Sequence, residues 1–264
     1  MQPKLSDLQQ LAIRAGALLR NGYEQPILIQ HKGEADLVTE IDHASEALIL
    51  ETLRAQFPDH SINAEESGHL EGSSEHTWYV DPLDGTINYA HGIPFFCVSI
   101  AYAYHGQLTL GAVYDPLRDE LFCAERGRGA WLNKKPIQVS HPASLIDSLL
   151  VTGFANIAHR TPLSEVHTDN MDNFKRFMLA TQGVRRLGSA ALDLAYVACG
   201  RLDGYWEYGI HSWDIAAGAL LVESAGGKVT SINGSADYFV PPYPILAASP
   251  GTHAAMLAML DHFE

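Results

Sequence analysis

The chain is poor in cysteine, poor in positive charge and free of long apolar runs. Its three cysteines, Cys97, Cys123 and Cys199, are odd in number and widely spaced in 264 residues. That pattern excludes a disulfide framework and a cysteine-rich zinc site, and it fits a reducing compartment. No stretch approaches the roughly 18 consecutive apolar residues of a membrane-spanning helix. Residues Met1 to Asp7 are polar and the segment after them is amphipathic, so no secretory signal is expected. Together these absences point to a cytoplasmic protein with no membrane partner. Lys and Arg number 17 against 31 Asp and Glu, a formal net charge of −14. Direct, sequence-independent nucleic-acid binding requires a basic surface, so this balance argues against it. It does not argue against a phosphorylated ligand, because bound cations invert the local sign. Nothing repeats at a solenoid period.

What is present concentrates at Trp78-Tyr79-Val80-Asp81-Pro82-Leu83-Asp84-Gly85-Thr86-Ile87-Asn88. A short apolar run reads as a buried strand. It ends in two carboxylates three residues apart, followed at once by Gly and Thr. Hard divalent cations take oxygen ligands from a few carboxylates and leave room for water and phosphate. Pro82 stiffens the loop, and Gly85 lets the backbone approach a ligand closely. A helix opening at Thr86 would offer free N–H groups to an anion. Alone, the same residues also fit a solvated turn.

Three more acidic segments bear on the choice. In Asp36-Leu37-Val38-Thr39-Glu40-Ile41-Asp42, Asp36 to Thr39 reads as a turn. Thr39 then caps a helix over Asp42 to about Phe57, with Asp42 completing the cap. Ala64-Glu65-Glu66-Ser67-Gly68 reads equally as an exposed acidic loop. In Ile210-His211-Ser212-Trp213-Asp214, Ser212 fits a helix cap with Asp214 in the first turn. His211 has no second His at helical spacing and reads as a structural or surface group.

Length and periodicity give the organisation. Leu5 to Tyr23 is amphipathic at helical spacing, and the helix carrying Asp42 follows. From Ser61 to Val139 the signals are strand-like: Phe95 to Tyr104, Leu108 to Tyr114 and Glu120 to Ala124 are separated by Gly or Pro turns. An antiparallel sheet with the first helices packed on it is expected. The second half alternates. Strands are expected over Leu149–Thr152, Gly183–Leu187, Gly204–Glu207, Lys228–Ser231 and Ile245–Ala248. Helices are expected over Glu165–Ala180, Ala190–Cys199, Trp213–Ala225 and Pro250–His262. Alternation of this kind argues a layered α/β arrangement. The chain divides into an N-terminal α+β half, residues 1–141, and a C-terminal α/β half, residues 142–264.

The segments A-E-E-S-G at Ala64, D-P-L-D-G-T at Asp81 and W-D-I-A-A-G at Trp213, with L-V-T-E-I-D at Leu37 and G-S-A-A-L-D-L-A at Gly188, resemble the inositol monophosphatase family. This is the Mg²⁺-dependent, lithium-sensitive phosphatase superfamily that includes fructose-1,6-bisphosphatases, and the closest pattern is the bacterial inositol-1-monophosphatase branch. Order and spacing agree over nearly the whole chain. Ile87 departs from the pattern, which usually has a second Thr there.

The resemblance implies a five-layer αβαβα sandwich with the site between the halves, two to three Mg²⁺ per site, and a homodimer. It implies that Glu65, Asp81 and the Leu83 carbonyl hold a first metal, and that Asp81, Asp84 and Asp214 hold a second. Asp42 and Thr86 would form a pair that polarises the attacking water, a role Glu65 shares. The N–H groups of Gly85 and Thr86 would take phosphate oxygens. Gly188, Ser189, Ala190, Glu207, Asp84 and Asp214 would meet the substrate, a small phosphorylated polyol or sugar. For Glu207 a salt-bridge role also fits. Asp193 fits helix surface or substrate contact, Lys32 a solvated loop or an approach to phosphate, and Arg185 or Arg186 substrate or a partner subunit. The implied reaction is hydrolysis of inositol 1-phosphate by metal-activated water. The alternatives are a sibling ester (fructose 1,6-bisphosphate, a nucleotide 3′-phosphate or histidinol phosphate) and a protein-binding role in the bacterial transcription machinery. A bisphosphate would need a second cation reaching the pocket.

Overall fold

The structure is a computed structural model that describes residues 2–23, 25, 29–31, 37–154 and 165–260. Helix α1 (Leu5–Tyr23) buries Leu8, Leu11, Ala12, Ala15 and Leu19, the single stripe that a 3.6-residue period produces. Strands β1 (Ile29–His31) and β2 (Leu37–Thr39) pair antiparallel. The turn expected over 36–39 is therefore corrected to a strand at Leu37–Thr39, where β1 supplies a pairing partner that local composition does not reveal; Asp36 and Lys32 lie outside the described residues. Helix α2 (Glu40–Gln56) starts two residues earlier than expected, with Thr39 as its cap. The Thr39 hydroxyl accepts from the Ile41 N–H at 3.2 Å, and the Asp42 carboxylate accepts from the Thr39 N–H at 2.8 Å. Two orphan donors of the helix end are thereby satisfied.

Next come β3 (His60–Ala64), β4 (Gly68–Leu70), β5 (Ser73–Asp84), the short helix α3 (Thr86–Ala90), β6 (Cys97–Tyr104), β7 (Gln107–Asp115), β8 (Glu120–Glu125), β9 (Gly129–Leu132) and β10 (Lys135–Pro136). They form an eight-stranded sheet in the order β10-β9-β8-β7-β6-β5-β3-β4. The expected all-antiparallel sheet is corrected to a mixed one, because β3 and β5 run parallel. Strand β4 folds back on β3 and takes its outer edge, so β5 crosses to the inner edge in the same direction as β3.

After a 3₁₀ turn at Leu145–Asp147, the chain forms β11 (Leu149–Thr152), α4 (Glu165–Ala180), β12 (Gly183–Arg185), α5 (Ala190–Ala198), β13 (Gly204–Glu207), α6 (Ser212–Ser224), β14 (Lys228–Thr230), β15 (Ile245–Ala248) and α7 (Pro250–Met259). Helix α7 ends before the His262 expected for it, and residues 261–264 are outside those described. The second sheet has the order β12-β11-β13-β15-β14. Its first three strands are parallel, and β15 is antiparallel to both neighbours. Helix α6 starts one residue earlier than the cap assignment to Ser212 implied. His211 is its N-cap, and Ser212 is already helical.

Three cores separate five layers. One joins α1 and α2 to the outer face of the large sheet, through Leu8, Leu19, Ile49, Leu53, Trp78 and Val80. A second holds α5 and α6 between the two sheets, through Val113, Phe122, Leu194, Leu220, Tyr205 and Ala247. The third packs α4 and α7 on the far face of the small sheet, through Leu150, Phe177, Trp206, Leu246 and Met256. Helix α6 buries residues nearly all round, as a helix between two sheets must. This is the αβαβα sandwich expected from the sequence. Among the described residues, no helix is long and apolar enough to cross a membrane.

Candidate active site

A cleft opens where β5 and α3 meet the N-terminal ends of α5 and α6 and the end of β13. Of the site residues that the resemblance implied, Glu65, Asp81, Leu83, Asp84, Gly85, Thr86, Gly188, Ser189, Ala190, Glu207 and Asp214 line it and Asp42 does not; Arg185, also weighed, is not in the lining. Asp42 is buried one step behind, where it accepts a 3.0 Å hydrogen bond from the Thr86 hydroxyl. The same hydroxyl stands 3.0 Å from the Leu83 carbonyl oxygen. Residues 44 apart in sequence are thus joined, and the cap of α2 doubles as support for the cleft.

Local chemistry explains how β5 delivers its carboxylates. The pairing of β5 with β6 is broken between Asp81 and Asp84, and Pro82 and Leu83 fill the irregularity. The Asp81 carboxylate accepts from the Leu83 N–H at 3.0 Å. Gly85 then adopts φ +97°, and a methyl there would also stand 3.0 Å from the Phe95 carbonyl. Only glycine combines that backbone with that crowding. Helix α3 has five residues, so it offers free N–H groups rather than a long dipole.

Asp84 and Asp214 are each held through Oδ2. Asp84 Oδ2 accepts from the Ser189 hydroxyl and from the Ala191 N–H, both at 2.7 Å. The N-terminus of α5 therefore grips a carboxylate of the large sheet, where an anion is favoured. Asp214 Oδ2 accepts from the His211 N–H at 2.8 Å, and the His211 ring stacks on Trp213 at 4.7 Å. That is the structural reading of His211. Asn88 ties the two walls again, donating to the carbonyls of Phe95 and Leu187, each at 2.8 Å.

Electrostatically the cleft is strained. Burial, followed by the charges of Glu65, Asp84 and Asp214, pushes Asp81 well above the usual carboxylate range. Asp214 is driven up in the same way, first by burial and then by Asp84 and Glu65. Burial also raises Asp84, against the hydrogen bonds from Ser189 and Ala191 that favour its charge. Removal from water raises Glu207 to about 7, and Tyr205 and Arg186 partly oppose this. Desolvation and like charges both disfavour ionisation, so the group needs a counter-charge to be fully ionised.

A hard divalent cation would supply it, and the donors fit one. They are carboxylate and carbonyl oxygens, the set that suits Mg²⁺, Ca²⁺ or Mn²⁺ rather than a soft metal. Among the described residues, no three His, Cys, Asp or Glu side chains stand as a ready-made cage.

Sequence reasoning left four of the lining residues open or missed them. Arg186 reaches the cleft, which settles the choice between Arg185 and Arg186 for this wall. Asp193 lies buried at its floor with Oδ1 lacking a hydrogen-bond partner. Gly153 and Phe154 also line it; they carry no motif, and only the pairing of β11 with β13 brings them there.

A layered α/β sandwich with a carboxylate-rich cleft between its sheets, opening beside a Gly-Thr turn, defines a class of metal-dependent phosphatases. The chain belongs to the inositol monophosphatase family, whose model matches residues 2–262. It is 46% identical over 270 residues to the Nus factor SuhB of Pseudomonas aeruginosa, covering 99% of this chain and 97% of that protein. It is 49% identical over 233 residues to an inositol-1-monophosphatase of Synechocystis, covering 88% and 79%. The solved inositol monophosphatase from Anabaena superposes with a TM-score of 0.86 at 46% identity, covering 97% and 94%.

Proposed function

We propose that the protein hydrolyses inositol 1-phosphate to inositol and phosphate with Mg²⁺ as cofactor. The observation that carries this is the gathering of Glu65, Asp81, Asp84 and Asp214 around the Gly85-Thr86 turn in one cleft. Glu65, Asp81 and the Leu83 carbonyl would hold one ion, and Asp81, Asp84 and Asp214 another. When bound, the ions neutralise phosphate charge and make water nucleophilic at neutral pH.

The chain's own residues supply positioning. The Thr86 hydroxyl donates a hydrogen bond to Asp42, so its lone pairs can accept a hydrogen bond from the attacking water, and a proton leaving that water would pass through the hydroxyl to the Asp42 carboxylate. Asp42 is fixed by the Thr39 cap and cannot swing away. The N–H groups of Gly85 and Thr86 take phosphate oxygens. Glu207, backed by the Tyr205 hydroxyl, accepts from a ring hydroxyl. Phosphoryl transfer depends mostly on such placement and on charge neutralisation. The proposal includes a homodimer, on family grounds, and a cytoplasmic location, on the cysteine pattern and the polar N-terminus.

The SuhB-type relative, named as a Nus factor, favours a second reading in which the same chain also binds a component of the transcription machinery. Phosphate release from inositol 1-phosphate, fructose 1,6-bisphosphate, a nucleotide 3′-phosphate and histidinol phosphate, with Mg²⁺ and with or without Li⁺, tests the first reading. Preference for inositol 1-phosphate with inhibition by Li⁺ is expected. Preference for another ester reassigns the substrate, and no release from any puts the binding role first. A pull-down with Asp84→Asn tests the second, because binding that needs no metal survives it.

A further inference from the structure

We infer that Gly153 is the residue that positions Glu207, and through it sets the cleft's selectivity for polyhydroxylated phosphate esters. The inference rests on the reading of Glu207 as the acceptor for a substrate hydroxyl.

Gly153 follows the last residue of β11. Its backbone is not in the left-handed region, so nothing in its dihedrals calls for glycine. What calls for glycine is space. A methyl group on Gly153 would lie far inside van der Waals contact of the Glu207 carboxyl carbon and both its oxygens. The Glu207 carboxylate occupies the space where a side chain at 153 would stand, and the missing side chain is the slot that admits it.

The slot is rigid on every other side. Strands β11 and β13 run parallel, with Thr152 opposite Trp206. The Thr152 hydroxyl donates to the Trp206 carbonyl at 2.6 Å. The Asn170 amide donates to the Gly153 carbonyl at 3.0 Å, and its oxygen accepts from the Trp206 indole N–H at 2.7 Å. Asn170 of α4 therefore ties the Gly153 backbone to the Trp206 side chain beside the slot. The Tyr205 hydroxyl holds Glu207 from its own strand. A methyl at 153 has one soft neighbour to displace, the end of the Glu207 side chain. Gly153 thus acts through Glu207 as a positioning residue.

The test is a double-mutant cycle of Gly153→Ala, Glu207→Ala and both together. It is read as the ratio of kcat/KM for inositol 1-phosphate to kcat/KM for p-nitrophenyl phosphate, whose leaving group has no further hydroxyl. A hydrogen bond to a charged group is worth roughly tenfold or more. Gly153→Ala is expected to lower the ratio about tenfold, mainly by raising KM for the inositol ester, and to have no further effect once Glu207 is Ala. The melting temperature of the double variant should equal or exceed that of Gly153→Ala alone, because removing the carboxylate relieves the clash. This readout stands even where the single variant folds poorly. An unchanged ratio in Gly153→Ala, an equal loss in the Glu207→Ala background, or a double variant less stable than Gly153→Ala overturns the inference. An unchanged ratio in Glu207→Ala alone overturns the role of Glu207 itself, and with it the ground of the inference.

Discussion

The two walls of the cleft are constrained by different means. On the large-sheet side, Asp81, Asp84, Thr86 and Asp42 are each fixed by a hydrogen bond to a neighbouring turn or helix end. On the small-sheet side, Asp193 leaves one carboxylate oxygen without a partner, and Glu207 rests in a slot left by a missing side chain. On the proposed function, the fixed wall carries the groups whose placement decides a rate, and the other wall those whose placement decides which ester fits. Side chains locked by their surroundings give catalytic precision, whereas polar groups left for a ligand give discrimination when they are filled.

Breaking the fixed wall should cost most. Asp84→Asn removes a carboxylate that α5 holds and that faces the cleft. The expected loss in kcat is about 10³-fold or more, read as phosphate release under saturating Mg²⁺. The same substitution should raise the melting temperature of chelator-treated protein, since it removes one of several like charges that disfavour one another. Stability gained as activity is lost would mark Asp84 as a functional carboxylate.

Thr86→Ala comes next. Loss of the hydroxyl that links Asp42 to the cleft should lower kcat by roughly 10²–10³-fold. KM should change little, because the residue is placed to handle a proton rather than to bind the ring. Asp42→Asn should be no worse in combination with Thr86→Ala than alone.

On the second wall, Glu207→Gln should raise KM for inositol 1-phosphate about tenfold and leave kcat within a few-fold. The pH response gives a sharper view. The folded-state pKa of Glu207 is raised from 4.5 to about 7. The folded chain keeps that proton after the unfolded chain has lost it. The associated stability is complete below about 4.5 and is lost as pH rises toward 7. Relative to metal-free wild type, Glu207→Gln should therefore gain in melting temperature as pH rises across that window.

The smallest effect lies far from the cleft. His253 is fully buried on α7, with Nε2 2.8 Å from the Thr230 hydroxyl and Nδ1 without a partner. Burial, helped by Lys228, lowers its pKa from 6.5 to about 4. Here the unfolded chain takes the proton first. Stability is complete above about 6.5 and falls as pH drops toward 4. Thermal melts of metal-free His253→Gln should show a shallower acid slope than wild type, with phosphate release unaffected near pH 8.

Much of this was legible before the fold was known, and for identifiable reasons. The Asp81–Thr86 run works through neighbours a few residues apart, so with the other acidic segments it carries the family resemblance that implied its chemistry. The Thr39–Asp42 cap is equally local. The helices over Leu5–Tyr23 and Glu165–Ala180 follow their periodicity to the residue. What escaped is what only tertiary pairing creates. The parallel run of β5 beside β3 depends on β4 taking the far edge. His211 rather than Ser212 caps α6 because the Asp214 carboxylate reaches back to its N–H. Gly153 carries no motif, and its meaning appears only when β13 sets Glu207 on top of it.

The central claim is that the fixed wall of carboxylates is a divalent-metal site for phosphate-ester hydrolysis. The most direct measurement is phosphate release from inositol 1-phosphate by wild type and by Asp84→Asn, each titrated with Mg²⁺ from chelator-treated protein. Wild type is expected to be silent without Mg²⁺ and active with it, and Asp84→Asn to stay silent while remaining folded. Equal release with and without Mg²⁺, or a folded Asp84→Asn as active as wild type, would contradict it.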